Sequence, residues 1–188
     1  YYNTVGNLTA SFQPIGFNKS CLDNLSSLVT HNNNAESTFS YNSLGQLLST
    51  KSPDEGTANF KYRKDGQIRF SQNSKQQESL LEEYSYTNYD EFGRPEESGV
   101  VVGTFSGLNG DTSPANGNDE QHYTEYDFLS AANNTILQTN AHSNYHSPSF
   151  LAGNVATTWN TDSNGNNISQ TFYSYDLYGR VQWIVQNI

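Results

Sequence analysis

Tyr175-Asp176-Leu177-Tyr178-Gly179-Arg180-Val181 decides how this chain is read. Asp at the first corner of a type I turn accepts hydrogen bonds from the backbone ahead, and Gly three residues later supplies the positive φ that closes a hairpin through a bulge. Upstream, Thr171-Phe172-Tyr173-Ser174-Tyr175 alternates apolar and polar side chains, as a half-buried strand does. Downstream, Val181-Gln182-Trp183-Ile184-Val185 resumes an apolar pattern, so a second strand leaves antiparallel to the first.

The same frame, Tyr with Gly at +4 and a polar residue at +5, recurs along the chain. It appears at Tyr2-Asn3-Thr4-Val5-Gly6-Asn7-Leu8, Tyr41-Asn42-Ser43-Leu44-Gly45-Gln46-Leu47, Tyr62-Arg63-Lys64-Asp65-Gly66-Gln67-Ile68 and Tyr89-Asp90-Glu91-Phe92-Gly93-Arg94-Pro95. Two decayed copies follow. Tyr126-Asp127-Phe128-Leu129-Ser130 loses the Gly, and Thr161-Asp162-Ser163-Asn164-Gly165 loses the Tyr. A single hairpin is marginal in water, so successive units must pair edge to edge and bury their Tyr-lined faces together. The expected fold is all-β: antiparallel β-hairpin repeats forming one continuous curved or spiralling sheet.

Strands are expected at Ser26–Thr30, Thr38–Tyr41, Asn59–Tyr62, Gln67–Phe70, Glu82–Tyr86, Glu96–Val102, Gln121–Tyr126, Val155–Trp159, Ile168–Tyr175 and Val181–Val185. Gly103–Asp119, with Gly107, Gly110, Pro114 and Gly117, lacks periodicity and reads as a loop excursion, as does Asn140–Ser149. Residues 1–188 thus read as one repeat region. The absence of Met and the start at Tyr1-Tyr2-Asn3 suggest a segment of a much larger chain.

Composition agrees with this reading. Charged residues reach only 15%, against about 25% in an ordinary domain, so Asn, Ser, Thr and Gln must cover much of the surface. Disordered chains are poor in aromatics, whereas Tyr, Phe and Trp make up 13% here. A net charge of −10 opposes binding to phosphate backbones and anionic lipid, so nucleic acid is excluded as a partner. No apolar run approaches the roughly 20 residues that span a bilayer, which argues against membrane insertion. The single cysteine, Cys21, rules out an intrachain disulfide and reads as a small buried hydrophobe.

Catalytic and metal-binding patterns are weak. His142 and His146 share a four-residue spacing without the Glu of a helical zinc motif. Asp162, Asn164 and Asn166 alternate like a calcium loop, but Asn167 and Tyr173 stand where Gly and Glu belong. Cys21 and His31 lack an orienting partner. Glu82-Glu83 and Glu96-Glu97 occupy adjacent strand positions and point to opposite faces. No enzyme, cofactor or metal is expected. Exposed Tyr, Trp159 and Trp183 in a polar field could stack on sugar rings or dock a protein.

The chain resembles the YD-repeat proteins, also called RHS-repeat proteins. The resemblance is carried by Tyr-Asp-x-x-Gly-Arg at Tyr89–Arg94 and Tyr175–Arg180, by Tyr-Asn-x-x-Gly-Gln at Tyr41–Gln46, by Pro53-Asp54-Glu55-Gly56 between two units, and by Tyr173–Asp176. It implies a strip of hairpins spiralling into a hollow shell in a secreted or cell-surface protein. Members include bacterial polymorphic toxins, the shell component of insecticidal toxin complexes, wall-associated proteins and teneurins. The implied role is that of a scaffold whose partners are the rest of the parent chain or an enclosed C-terminal cargo polypeptide. In surface members the repeats serve adhesion, with cell-surface proteins, secretion-machinery proteins or glycan as partners. No segment resembles the self-cleaving aspartyl protease of the toxin members. The residues the resemblance singles out are the repeat turns: Tyr2, Gly6, Tyr41, Asn42, Gly45, Tyr62, Gly66, Tyr89, Asp90, Gly93, Arg94, Tyr126, Asp127, Tyr175, Asp176, Gly179 and Arg180.

Overall fold

A computed structural model describes residues 1–12, 36–115, 119–140 and 147–187. The expected strand at Ser26–Thr30 and the residues Cys21, His31, His142 and His146 lie outside them. The described elements are β1 (Ala10–Phe12), β2 (Glu36–Tyr41), β3 (Leu47–Ser52), β4 (Gly56–Tyr62), β5 (Ile68–Gln72), α1 (Ser74–Gln77), β6 (Glu83–Tyr89), β7 (Pro95–Val102), β8 (Asp119–Tyr126), α2 (Ala131–Asn140), β9 (Val155–Thr161), β10 (Asn167–Tyr175) and β11 (Val181–Asn187). The fold is all-β, and strand order in the sheet follows chain order from β1 to β11. The chain forms two compact units, Tyr1–Tyr84 with Gly103–Ser113, and Ser85–Val102 with Pro114–Ile188.

In the first unit β1 to β5 are consecutive antiparallel partners, with Ala10 opposite Thr38, Thr38 opposite Lys51, Ser52 opposite Gly56 and Asn59 opposite Gln72. Its buried centre is aromatic. Phe70 meets Tyr84 edge-on at 5.6 Å between ring centroids, and Tyr84 meets Phe105 at 6.3 Å. Phe105 belongs to the excursion that follows β7, so Gly103–Ser113 supplies a core residue to the first unit. Three polar contacts seat that segment: Gly103 N–H donates to the Glu82 carbonyl, Phe105 N–H donates to the Glu82 carboxylate, and Lys64 N–H donates to Asp111 Oδ1. Gly110 passes so close to Tyr62 that a Cβ there would lie 2.0 Å from its carbonyl oxygen.

In the second unit β7 to β11 pair in order, with Glu97 opposite Tyr123, Tyr123 opposite Trp159, Trp159 opposite Gln170 and Phe172 opposite Val185. Alternation in β10 buries Gln170, Phe172 and Ser174 on one face, as a period of two demands. On this unit α2 buries Leu137 and Asn133. The sequence reading placed no helix at 131–140. Ser130 Oγ accepts from Asn133 N–H, which satisfies one amide of the open first turn, and Glu125 accepts from Ser130 N–H and Asn133 Nδ2. Gln170 Nε2 donates to Asn133 Oδ1, so the helix is fixed by a buried amide pair as well as by Leu137.

Candidate functional site

Among the described residues the repeat turns form a recurring polar constellation. At Asn42, Oδ1 accepts from Leu44 N–H (3.0 Å) and Gln46 N–H (2.9 Å), while Gly45 N–H returns to the Asn42 carbonyl. Asn3, Asp90 and Asp176 repeat this arrangement, with Gly6, Gly93 and Gly179 closing each loop. Every one of these glycines has positive φ, which L side chains adopt only at a cost. The strand ladder slips by one residue just before Tyr41, Tyr62, Tyr126 and Tyr175. That bulge sets Tyr41, Tyr62 and Tyr175 opposite Leu47, Ile68 and Val181, the residues at +6.

The side chains at +1 and +5 pair with each other. Asn42 Nδ2 donates to Gln46 Oε1 (2.6 Å), Arg94 Nε to Asp90 Oδ2 (2.7 Å) and Arg180 Nε to Asp176 Oδ2 (2.7 Å). The frame at Tyr62 has Arg63 at +1 and therefore lacks that acceptor. There Asp65 accepts from Gln67 N–H and pairs with Arg63 at 2.8 Å. The Asp162 copy closes by the same local bonds, its carboxylate accepting from Asn164 N–H, Asn166 N–H and Asn166 Nδ2. Turn amides occupy that carboxylate.

Tyr126-Asp127 is a repeat turn interrupted by an insertion. Asp127 N–H donates to the Asn154 carbonyl, Gly153 N–H donates to Asp127 Oδ1, and Tyr126 faces Val155. Gly153, at φ +82, Asn154 and Val155 therefore take the +4, +5 and +6 places, with α2 lodged between. Asp127 itself has φ +68, a conformation Asp tolerates better than most residues.

Contacts then run from one turn to the preceding one. Tyr62 Oη donates to the Leu47 carbonyl (2.8 Å), Tyr126 Oη to the Pro95 carbonyl (2.9 Å) and Tyr175 Oη to the Val155 carbonyl (2.9 Å). In each case the acceptor is the +6 residue of the preceding turn on that end of the sheet. Arg94 adds charge to this lock. Its Nη1 and Nη2 reach Asp127 at 3.3 and 2.5 Å, and its guanidinium lies over the Tyr126 ring at 4.3 Å.

These contacts move the titrations in predictable directions. The Arg94 guanidinium and Gly153 N–H hold the Asp127 carboxyl below the usual carboxylate range. Burial pushes Asp90 upward, but hydrogen bonds from Arg94 N–H, the guanidinium and Phe92 N–H outweigh it, and the net direction is down. Arg94 is raised by its hydrogen bonds to Asp127 and Asp90. For Tyr126, burial raises the phenol.

Around Arg94 the second unit has a concavity of about 400 Å3, lined in part by Glu97, Tyr123, Tyr126, Phe128 and Trp159. Tyr123 stacks on Trp159 with centroids 4.9 Å apart and planes 9° from parallel, so one face of the indole is already taken. Among the described residues no three His, Cys, Asp or Glu side chains converge as metal ligands. No helix among them is long and apolar enough to cross a membrane. Sequence reasoning missed Gly153, Asn154 and Val155 as turn residues, and missed the tyrosine hydroxyl as a link between hairpins. The Gly-Asn-Val triplet after a Pro-containing loop was the available signal for the first.

No family model and no curated protein matches the chain. Among solved structures, the Tc holotoxin pore of Photorhabdus luminescens is similar, with 13% sequence identity and a TM-score of 0.53 over 97% of this chain. This chain corresponds to 7% of that chain's length. The likeness is one of fold: an array of antiparallel hairpins with the architecture of a segment of a toxin-complex component.

Proposed function

We propose that the chain is a structural wall segment of a large secreted or cell-surface RHS-type protein, a β-hairpin shell or scaffold that encloses a C-terminal cargo polypeptide. The observation that carries this reading is the turn-to-turn lock, in which the tyrosine of one repeat bonds the +6 carbonyl of the repeat before it. Such a lock serves extension and adds no reactive group, so the segment has no catalytic role in this reading. The likeness to a toxin-complex component over 97% of the chain supports it. Electron microscopy of the full-length gene product is the test. Residues 1–188 are expected as a strip of hairpins bordering a chamber; density showing them as a solid globule would refute the proposal.

The aromatic concavity favours a second reading, recognition of a glycan at the surface. Phe92 and Phe128 are exposed beside Glu91, Glu96 and Asp127, a mixture of ring faces and carboxylates suited to a sugar's apolar face and hydroxyls. A glycan array probed with the chain is expected to return hits that Phe92→Ala weakens. An array without hits removes this reading.

A further inference from the structure

Charge is divided unevenly along the chain. Residues 85–102 and 114–188, the second unit, hold ten Asp and Glu against two Arg, so −8 of the net −10 lies there. Six of those carboxylates, on Asp90, Glu91, Glu96, Glu97, Glu125 and Asp127, line the concavity around Arg94, with that one guanidinium among them. Four are already engaged. Asp90 and Asp127 take Arg94, Glu97 accepts from Tyr86 Oη and Asn88 Nδ2, and Glu125 accepts from Ser130 N–H and Asn133 Nδ2. The Glu91 and Glu96 carboxylates are exposed and, among the described residues, make no hydrogen bond or ion pair.

Aromatic rings share the hollow with them. The Arg94 guanidinium lies over Phe92 at 5.2 Å and over Tyr126 at 4.3 Å, so the chain itself already seats one cation there against ring faces. Phe92 remains 73% exposed and Phe128 63% exposed. Unengaged carboxylates beside uncovered rings suit a ligand that is apolar on one side and positively charged on another. A neutral sugar would stack on the rings and leave the carboxylates uncompensated, whereas an acidic sugar or a nucleotide would be repelled. An extended peptide finds no main-chain anchor, because β7 and β8 are interior strands with neighbours on both sides.

We propose that this concavity binds an amino sugar, a glycan unit carrying a protonated amine. The inference rests on the glycan reading of the concavity and names its substrate class. The C–H face of the sugar ring stacks on Phe92 and Phe128, and the ammonium meets the carboxylates of Glu91 and Glu96. Arg94 stays in its pair with Asp90 and Asp127 and is not displaced, so the turn keeps its shape when the ligand enters.

The test is calorimetric titration of the full-length gene product with three β-1,4-linked tetrasaccharides: of glucosamine, of N-acetylglucosamine and of glucose. Mildly acidic buffer keeps the glucosamine amine protonated. The glucosamine tetramer is expected to bind about tenfold tighter than the glucose tetramer, as two exposed ion pairs of about threefold each imply. Acetylation of the amine is expected to abolish that advantage, and raised salt to shrink it. Glu91→Gln and Glu96→Gln are each expected to weaken the glucosamine tetramer by about threefold and to leave the glucose tetramer unchanged, while Phe128→Ala weakens both. Both carboxylates and the Phe128 ring are exposed, so none of these variants disturbs the core. Equal affinity for all three tetramers would overturn the amino-sugar assignment and leave the glycan reading standing; no binding by any of them would remove both. A tetralysine peptide that binds as tightly as the glucosamine tetramer, or affinity indifferent to Glu91, Glu96 and Phe128, would also overturn the assignment, since attraction between opposite charges would then be the whole effect.

Discussion

Alanine at three glycines separates two costs that are usually confounded. Gly179 has φ +75 and open space where a Cβ would stand, so Gly179→Ala meets only the dihedral penalty of the left-handed region, about 1 kcal/mol. At Gly110 the dihedral is ordinary, but a Cβ would lie 2.0 Å from the Tyr62 carbonyl oxygen, 2.5 Å from its carbon and 3.0 Å from Arg63 N. Those are backbone atoms at the mouth of a hydrogen-bonded turn, which cannot swing aside as a side-chain tip can. Either Gly103–Ser113 lifts, releasing Phe105 from beside Tyr84, or the turn opens; we expect about 3 kcal/mol, the upper end for an overpacked site. Gly107 has neither constraint, and Gly107→Ala is expected to be neutral or slightly stabilising, because alanine narrows the unfolded ensemble. At about 2–4 °C per kcal/mol for a chain of this length, the three Tm values fall in the order Gly107→Ala, Gly179→Ala, Gly110→Ala. Thermal unfolding followed by far-ultraviolet circular dichroism measures them. If Gly110→Ala melts with Gly107→Ala, the excursion does not sit on the Tyr62 turn and the packing described for the first unit is wrong.

Phe172 is fully buried, and Phe172→Ala is expected to cost about 3–5 kcal/mol, read in urea by the fluorescence of Trp159 and Trp183. Tyr62→Phe keeps the ring and loses only the bond to the Leu47 carbonyl, so about 1 kcal/mol is expected by the same denaturation series; no loss would remove the hydroxyl from the lock. Asp90, Asp127, Asp162 and Asp176 are all held below the usual carboxylate range in the folded chain. On acidification the unfolded chain takes up these protons first. The stabilisation is therefore complete above the ordinary carboxylate pKa of about 4 and disappears as pH falls through the lower folded values. Tm against pH is expected to drop below about pH 4, and less steeply in Asp127→Asn.

What was legible in the sequence is what is local. An Asx acceptor, two amides two and four residues ahead, and a glycine between them lie within one turn, so Asn42–Gln46 and Asp176–Arg180 can be read without knowing anything beyond them. The Tyr126 turn hides because its glycine is Gly153, and no window of turn length contains both. The helix at Ala131–Asn140 hides for a different reason. Its ten residues carry no charge and several Asn and Thr, so propensity argues against it, and what holds it is tertiary: Glu125 at its start, Gln170 against Asn133, and Leu137 buried. Likewise, Phe105 in a polar stretch gives no hint that its partner is Tyr84, twenty-one residues upstream. The tyrosine-to-carbonyl bonds require the register of paired strands, which no single repeat encodes.

Those hydroxyl bonds have a direction. The donor always comes from later in the chain and the acceptor from earlier, at Tyr62 onto Leu47, Tyr126 onto Pro95 and Tyr175 onto Val155. A ribosome delivers the acceptor first, so in these three pairs the carbonyl is made before the tyrosine that bonds it. The array has a grain, like wood, and lengthening it at the downstream side is chemically easier than splicing into its middle.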